Sequence, residues 1–134
     1  MRRSNVFLFG VLILIASMLM SCFGNMNTVE TCVLSNVPYN DKAGLERAKQ
    51  LESLEASRNI YASVHFIESP LGMEYTTKWY VNGNEVKTET KAMATNRQGI
   101  IIYPLEADRV VAGKIRFEIL YHTKVLFSKE LSVQ

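Results

Sequence analysis

The sequence predicts a mostly β protein, a single antiparallel sandwich of about six to seven strands preceded by an export signal and one short helix. Three observations carry that prediction. From Arg58 onward, apolar and polar residues alternate with the period of two that a half-buried strand requires. Asn82-Gly83 stands between two such runs, the strongest short-range hairpin signal a sequence offers. Turn-forming residues recur at short intervals, in Ser69-Pro70-Leu71-Gly72, at Gly99, at Pro104 and at Gly113.

The elements follow in chain order. Met1 to Asn5 is a short positive head carrying Arg2 and Arg3, and Val6 to Met20 is an uncharged apolar stretch. As a helix that stretch spans roughly 22 Å, short of the roughly 30 Å of bilayer hydrocarbon, so it reads as a secretory signal peptide. It ends in Leu19-Met20-Ser21-Cys22, which resembles the lipobox of bacterial lipoproteins in Leu19, Ser21 and Cys22. Met20 is a less usual residue at the variable position. The resemblance implies that Cys22 is acylated, that the chain is cut before it, and that a membrane holds the product facing outside the cytoplasm. Two acyl chains give stable anchoring where one gives only reversible binding. Phe23 follows the cysteine where Asp would favour retention, so in Gram-negative cells resembling the enteric bacteria the destination is the outer membrane.

The chain therefore divides into a signal peptide over 1–21, a tether over 22–28, a first strand and a helix over 29–57, and the sandwich over 58–134. Val29 to Ser35 reads as a strand. Asp41 to Ala56 carries the helical signal: Asn40 or Asp41 can cap, and Leu45, Ala48, Leu51 and Leu54 fall near one face. Gly44 weakens that helix. Beyond it, Ile60, Ala62, Val64 and Phe66 share a face, as do Tyr75, Thr77, Trp79 and Val81. Ile100 to Tyr103 is apolar on both faces. Ile115, Phe117, Ile119 and Tyr121 alternate with Arg116, Glu118, Leu120 and His122. In the last run Lys129 interrupts the stripe of Val125, Phe127, Leu131 and Val133, as a bulge or a blunted edge strand would.

With Trp79 on an early strand, the hairpin, Gly113 before an alternating strand, and Leu131 and Val133 at the close, residues Ile60 to Val133 resemble small bacterial immunoglobulin-like modules. The resemblance implies a spacer or binding unit and assigns no function to particular residues, because the matching positions are core positions. The inter-sheet cysteine pair of antibody domains is missing from the sequence.

Charge and chemistry narrow the function. Of 15 basic side chains, Arg2 and Arg3 leave with the signal, so 13 basic face 13 acidic ones in the remainder. That balance argues against nucleic acid as a partner, which needs a basic stripe to displace counterions. Cys32 has no neighbouring cation in sequence and reads as a buried, inert thiol. His65 and His122 read as surface histidines, too few for a zinc site, and no metal or cofactor is expected. No nucleophile elbow, phosphate loop or metalloprotease motif is present, so no catalytic residue is assigned. Tyr61, Tyr80 and Tyr103 fall opposite the apolar stripes and are the candidate binding surface, unless the helix or the second sheet covers them. The expected function is binding of an envelope protein, or support of an envelope complex, by a lipid-anchored, non-enzymatic domain. The alternative is a module for glycan or cell-wall polymer.

Overall fold

The computed structural model describes residues 28–69, 71–93 and 97–134. Its elements are β1 (Val29–Ser35), α1 (Lys42–Arg47), β2 (Ser53–Leu54), β3 (Ile60–Ser69), β4 (Glu74–Val81), β5 (Asn84–Ala92), β6 (Arg97–Leu105), a 3-10 turn (Ala107–Arg109), β7 (Gly113–Tyr121) and β8 (Lys124–Val133). One sheet runs β1-β3-β6 and the other β2-β8-β7-β4-β5. All neighbours are antiparallel except β2, which lies parallel to β8.

The alternation decides which residues meet between the sheets. Cys32 and Leu34, Ile60 to Phe66 at every second position, Tyr103 and Leu105 come from the small sheet. Tyr75, Trp79, Val81, Ile115, Phe117, Ile119 and Val133 oppose them from the large one. Trp79 and Phe117 sit opposite each other across β4 and β7 with ring centroids 4.6 Å apart. Phe66 stacks on Tyr75 at 4.8 Å. The Tyr75 hydroxyl also joins Ser69 Oγ at 2.6 Å and Thr28 Oγ1 at 2.8 Å, tying the start of β1 to the turn between β3 and β4.

Asn82 and Gly83 both take positive φ, 50° and 83°, as a type I′ hairpin demands. Asn82 also locks the start of β7. Its backbone N–H donates to the Lys114 carbonyl at 2.8 Å, its Oδ1 accepts from Lys114 N–H at 2.9 Å, and its Nδ2 donates to the Ala112 carbonyl at 3.3 Å.

The predicted helix over Asp41 to Ala56 is shorter than its pattern suggested. Asp41 caps it through Gly44 N–H, but it stops after Arg47. The chain then gains more from two strand edges than from further helical turns. Gln50 lies alongside β1, its Oε1 accepting from Leu34 N–H at 2.9 Å and its Nε2 donating to the Leu34 carbonyl at 2.8 Å, as a ladder rung would. Four residues on, Leu54 pairs with Val133 in β8. Leu51, which the helical face would have buried, is 58% exposed. Tertiary pairing overrides a weak local propensity already reduced by Gly44.

The irregularity in β8 also lies elsewhere than expected. The register slips where Phe127 faces Ile119 and Val125 faces Leu120, which makes Leu126 the extra residue and leaves Val125 47% exposed. Lys129 stays in register opposite Phe117 and points inward at the seam between the sheets. There its Nζ donates to the Cys32 carbonyl at 2.9 Å and to Gln50 Oε1 at 3.2 Å.

Candidate functional site at the open edge of β6

Leu19, Ser21 and Cys22 lie outside the described residues. The three tyrosines do not form one surface. Tyr103 faces Ala62 across the β3–β6 ladder and therefore points into the core, where it is 1% exposed. Because residues 100–103 are apolar on both faces, the alternation alone could not assign its side. Burial pushes its phenol pKa well up. Tyr61 lies on the outer face of the small sheet, its hydroxyl accepting from Asn59 Nδ2 at 3.2 Å. Tyr80 lies on the outer face of the large sheet with the Arg116 guanidinium 4.1 Å above its ring. Tyr61 and Tyr80 thus sit on opposite sides of the sandwich.

The edges of the two sheets are more informative, because an unpaired edge is a template for another strand. On β1, Leu34 and Cys32 turn their backbone groups away from β3. Gln50 occupies the first and Lys129 the carbonyl of the second. The large sheet ends on one side in β2, only two residues long, which pairs with the ten-residue β8 at Ser132 and Val133 alone. On its other side β5 turns Lys87, Glu89 and Lys91 toward the seam, in register with Trp79, Thr77 and Tyr75. Inward-pointing charges are a recognised way to blunt an edge. Lys87 Nζ reaches Glu106 at 2.8 Å and Glu89 at 3.2 Å. Burial by itself would lower the Lys87 pKa, but these carboxylates outweigh it and hold the ammonium charged.

Among the described residues the edge of β6 is unpaired by any strand. Lys87 Nζ donates to the Pro104 carbonyl at 2.7 Å, so even-numbered residues of β6 direct their backbone groups away from β3. Pro104 has no N–H to leave unpaired, which suits an edge position. Ile102 and Ile100 share its direction, and among the described residues nothing pairs with their outward N–H and C=O groups.

Beside this edge is a shallow hollow of about 410 Å³ lined by Asn40, Asp41, Lys42, His65, Gly99 and Ile100. The segment after β1 builds one wall: Tyr39 N–H donates to Ser63 Oγ at 3.0 Å, and Leu45 is buried beneath α1. That covering explains why His65, on the outward face as expected, is nonetheless only 4% exposed. Its Nδ1 lies 3.1 Å from Glu30 Oε2, leaving Nε2 as the ring nitrogen available to a ligand. His122 belongs to the β7–β8 turn of the other sheet, with φ 54°, so the two histidines make no common site. Among the described residues no group of three or more metal-binding side chains converges. Sequence reasoning missed the open edge. The signals were there in Pro104 and in the Lys87, Glu89, Lys91 alternation, but which strand each one edges is a matter of topology.

Cys32 is buried, and burial pushes its thiol pKa up to about 12, against an opposing pull from Lys129. Burial in turn lowers the pKa of half-buried Lys129. The folded chain thus keeps the thiol proton that the unfolded chain releases near 9.0. Folding stability should therefore fall as pH rises from about 9 toward 12, by roughly 1 kcal/mol per pH unit. Lys129 acts with the opposite sign, since its unfolded form holds a proton longer. Urea titrations of a Cys22→Ser protein with and without Cys32→Val isolate the thiol's share: the loss should be steeper when Cys32 is present. A maleimide should label Cys32 only after unfolding.

The strand order settles the architecture. The first, third and sixth strands form one sheet, the fourth, fifth, seventh and eighth form the other, and the short second strand runs beside the last. The fold is immunoglobulin-like. No protein-family model matches the chain, and no curated protein sequence matches it significantly. Among solved structures it is similar to an immunoglobulin-like protein of Pseudomonas aeruginosa, at 11% identity over 79% of this chain and 96% of the other, TM-score 0.48. It is also similar to the CARDB domain of a Pyrococcus furiosus protein, at 12% identity over 81% and 96%, TM-score 0.41. A stretch of the Pseudomonas fluorescens alkylpurine DNA glycosylase AlkC aligns at 10% identity over 80% of this chain and 30% of that one, TM-score 0.48. Likenesses this distant carry no function to the immunoglobulin-like domain.

Proposed function

We propose that this chain is a lipid-anchored envelope protein, without catalytic activity, that binds a protein partner by strand addition at the edge of β6. One observation carries the reading: β1 is covered by Gln50 and Lys129 and β5 carries inward charges, whereas the edge of β6 is unpaired among the described residues and lies beside a hollow. Main-chain pairing along such an edge supplies affinity, and pockets for alternate side chains supply specificity. The lipobox-like Leu19, Ser21 and Cys22 supply the anchor, which raises the effective concentration of partners in the same membrane. Among the described residues no helix is long and apolar enough to cross a membrane. The glycan alternative has less support, because Tyr103 is buried and the Tyr80 ring is covered by Arg116.

A photo-crosslinking amino acid placed at Ile102 in living cells tests the reading, with Ser128 on the outer face of β8 as the comparison site. A discrete protein adduct should form from position 102, not from 128, and should disappear in Cys22→Ala. Equal adducts from both positions, or none from position 102, would overturn it.

A further inference from the structure

The rim of the hollow says what the added strand should carry. Among the described residues, Glu30, Asp41 and Glu46 stand around it or beside its wall, against the ammonium of Lys42, which lies 3.8 Å from Glu46. Asp41 spends one oxygen on the helix cap at Gly44, and Glu30 holds His65 Nδ1. With Nδ1 bound to a carboxylate, a neutral His65 offers Nε2 as an acceptor. Among the described residues the hollow therefore presents carboxylates, and Lys42, the cation in its lining, is already paired with Glu46.

An added strand would lie about 4.8 Å beyond β6, with every second side chain on the face where Ile100 and His65 lie. One of those side chains would extend back over Ile100 and Gly99 into the hollow. Resting on the strand-addition reading above, we infer that the edge of β6 takes an extended segment of a partner that places a lysine or arginine there, with apolar residues two positions away packing beside Ile100 and Ile102. A second copy of this chain is a poorer occupant. It would bring the same acidic rim against its own kind.

The test uses full-length protein in detergent and a set of acetylated, amidated seven-residue peptides in which Val alternates with Thr. Lys, Gln or Glu is walked through each position, and binding is read by fluorescence polarisation. Lys peptides should bind about tenfold more tightly than their Glu counterparts at positions of one parity. Asp41→Asn with Glu30→Gln, where Asn still caps the helix, should reduce the Lys-over-Gln preference by about fivefold. Ile102→Pro removes an outward N–H without touching the β3 ladder and should abolish binding of every peptide. Should that variant fail to fold, peptides N-methylated at alternate positions remove the same pairing from the other side. Lys, Gln and Glu peptides binding alike, with binding still lost in Ile102→Pro, would overturn the basic-segment inference while strand addition stands. Binding unaffected by Ile102→Pro or by N-methylation, or no binding by any peptide, would overturn both.

Discussion

Gly113→Ala is expected to lower stability by about 3 kcal/mol, a loss of two kinds added together. Gly113 has φ +134°, a conformation side chains rarely adopt, and a Cβ there would sit 2.0 Å from Asn82 Oδ1. The Asn82 carboxamide would have to swing aside, giving up its bonds to Lys114 N–H and the Ala112 carbonyl. Backbone strain of this kind costs roughly 1–3 kcal/mol and each hydrogen bond about 1 kcal/mol. A double-mutant cycle separates the two contributions. In an Asn82→Gly background the clash is gone and both bonds are already absent, so Gly113→Ala should cost about 2 kcal/mol less than in the parent. Urea denaturation of the four proteins measures this. Additive costs would mean that Asn82 does not clamp the start of β7.

Trp79→Ala is expected to cost about 4 kcal/mol, the upper range for truncating a buried aromatic. Trp79 is 1% exposed and meets the Phe117 ring at 4.6 Å, which in turn meets Tyr103 at 5.8 Å. Removing it opens a cavity beside the Phe117 ring, which carries the contact to Tyr103 of the small sheet. Domains of this size have about 5–15 kcal/mol in hand, so the variant should be visibly unfolded or degraded at growth temperature. Trp79→Phe should recover part of the loss by retaining a ring. A midpoint for Trp79→Ala within about 0.5 kcal/mol of the parent would show that the two sheets are held elsewhere.

What the sequence made legible was the period of each strand, because alternation is a local property. Ile60 to Phe66 and Ile115 to Ile119 face inward as their spacing predicts, and Asn82-Gly83 turns as its composition requires. Three features depended on neighbours far along the chain. The segment after Arg47 gave up its helix because Gln50 and Leu54 found partners in β1 and β8. Tyr103, expected on the outer face, is turned into the core by the β3 register, because its neighbours are apolar in both directions and the alternation gave no check on its side. Lys129, read as an interruption, closes a seam by meeting a carbonyl 97 positions away. The candidate site was hidden for the same reason, because an edge is defined by the strand that is not beside it.

In the lipid-anchored arrangement proposed above, the bonds joining Thr28 to Tyr75 and Ile67 decide which end of the domain faces the bilayer. They place the chain's entry at the end of the sandwich that also carries the β3–β4 turn, with Leu71 64% exposed, while the Asn82-Gly83 turn marks the far end. For a chain held by lipid at Cys22, the residues up to Thr28 can reach at most about 20 Å. β6 begins opposite Ser69 at the near end and finishes at Leu105 toward the far one. The open edge then stands upright like a doorpost, facing along the plane of the membrane. A partner rooted in the same leaflet meets it from the side, within a standing height of one short strand.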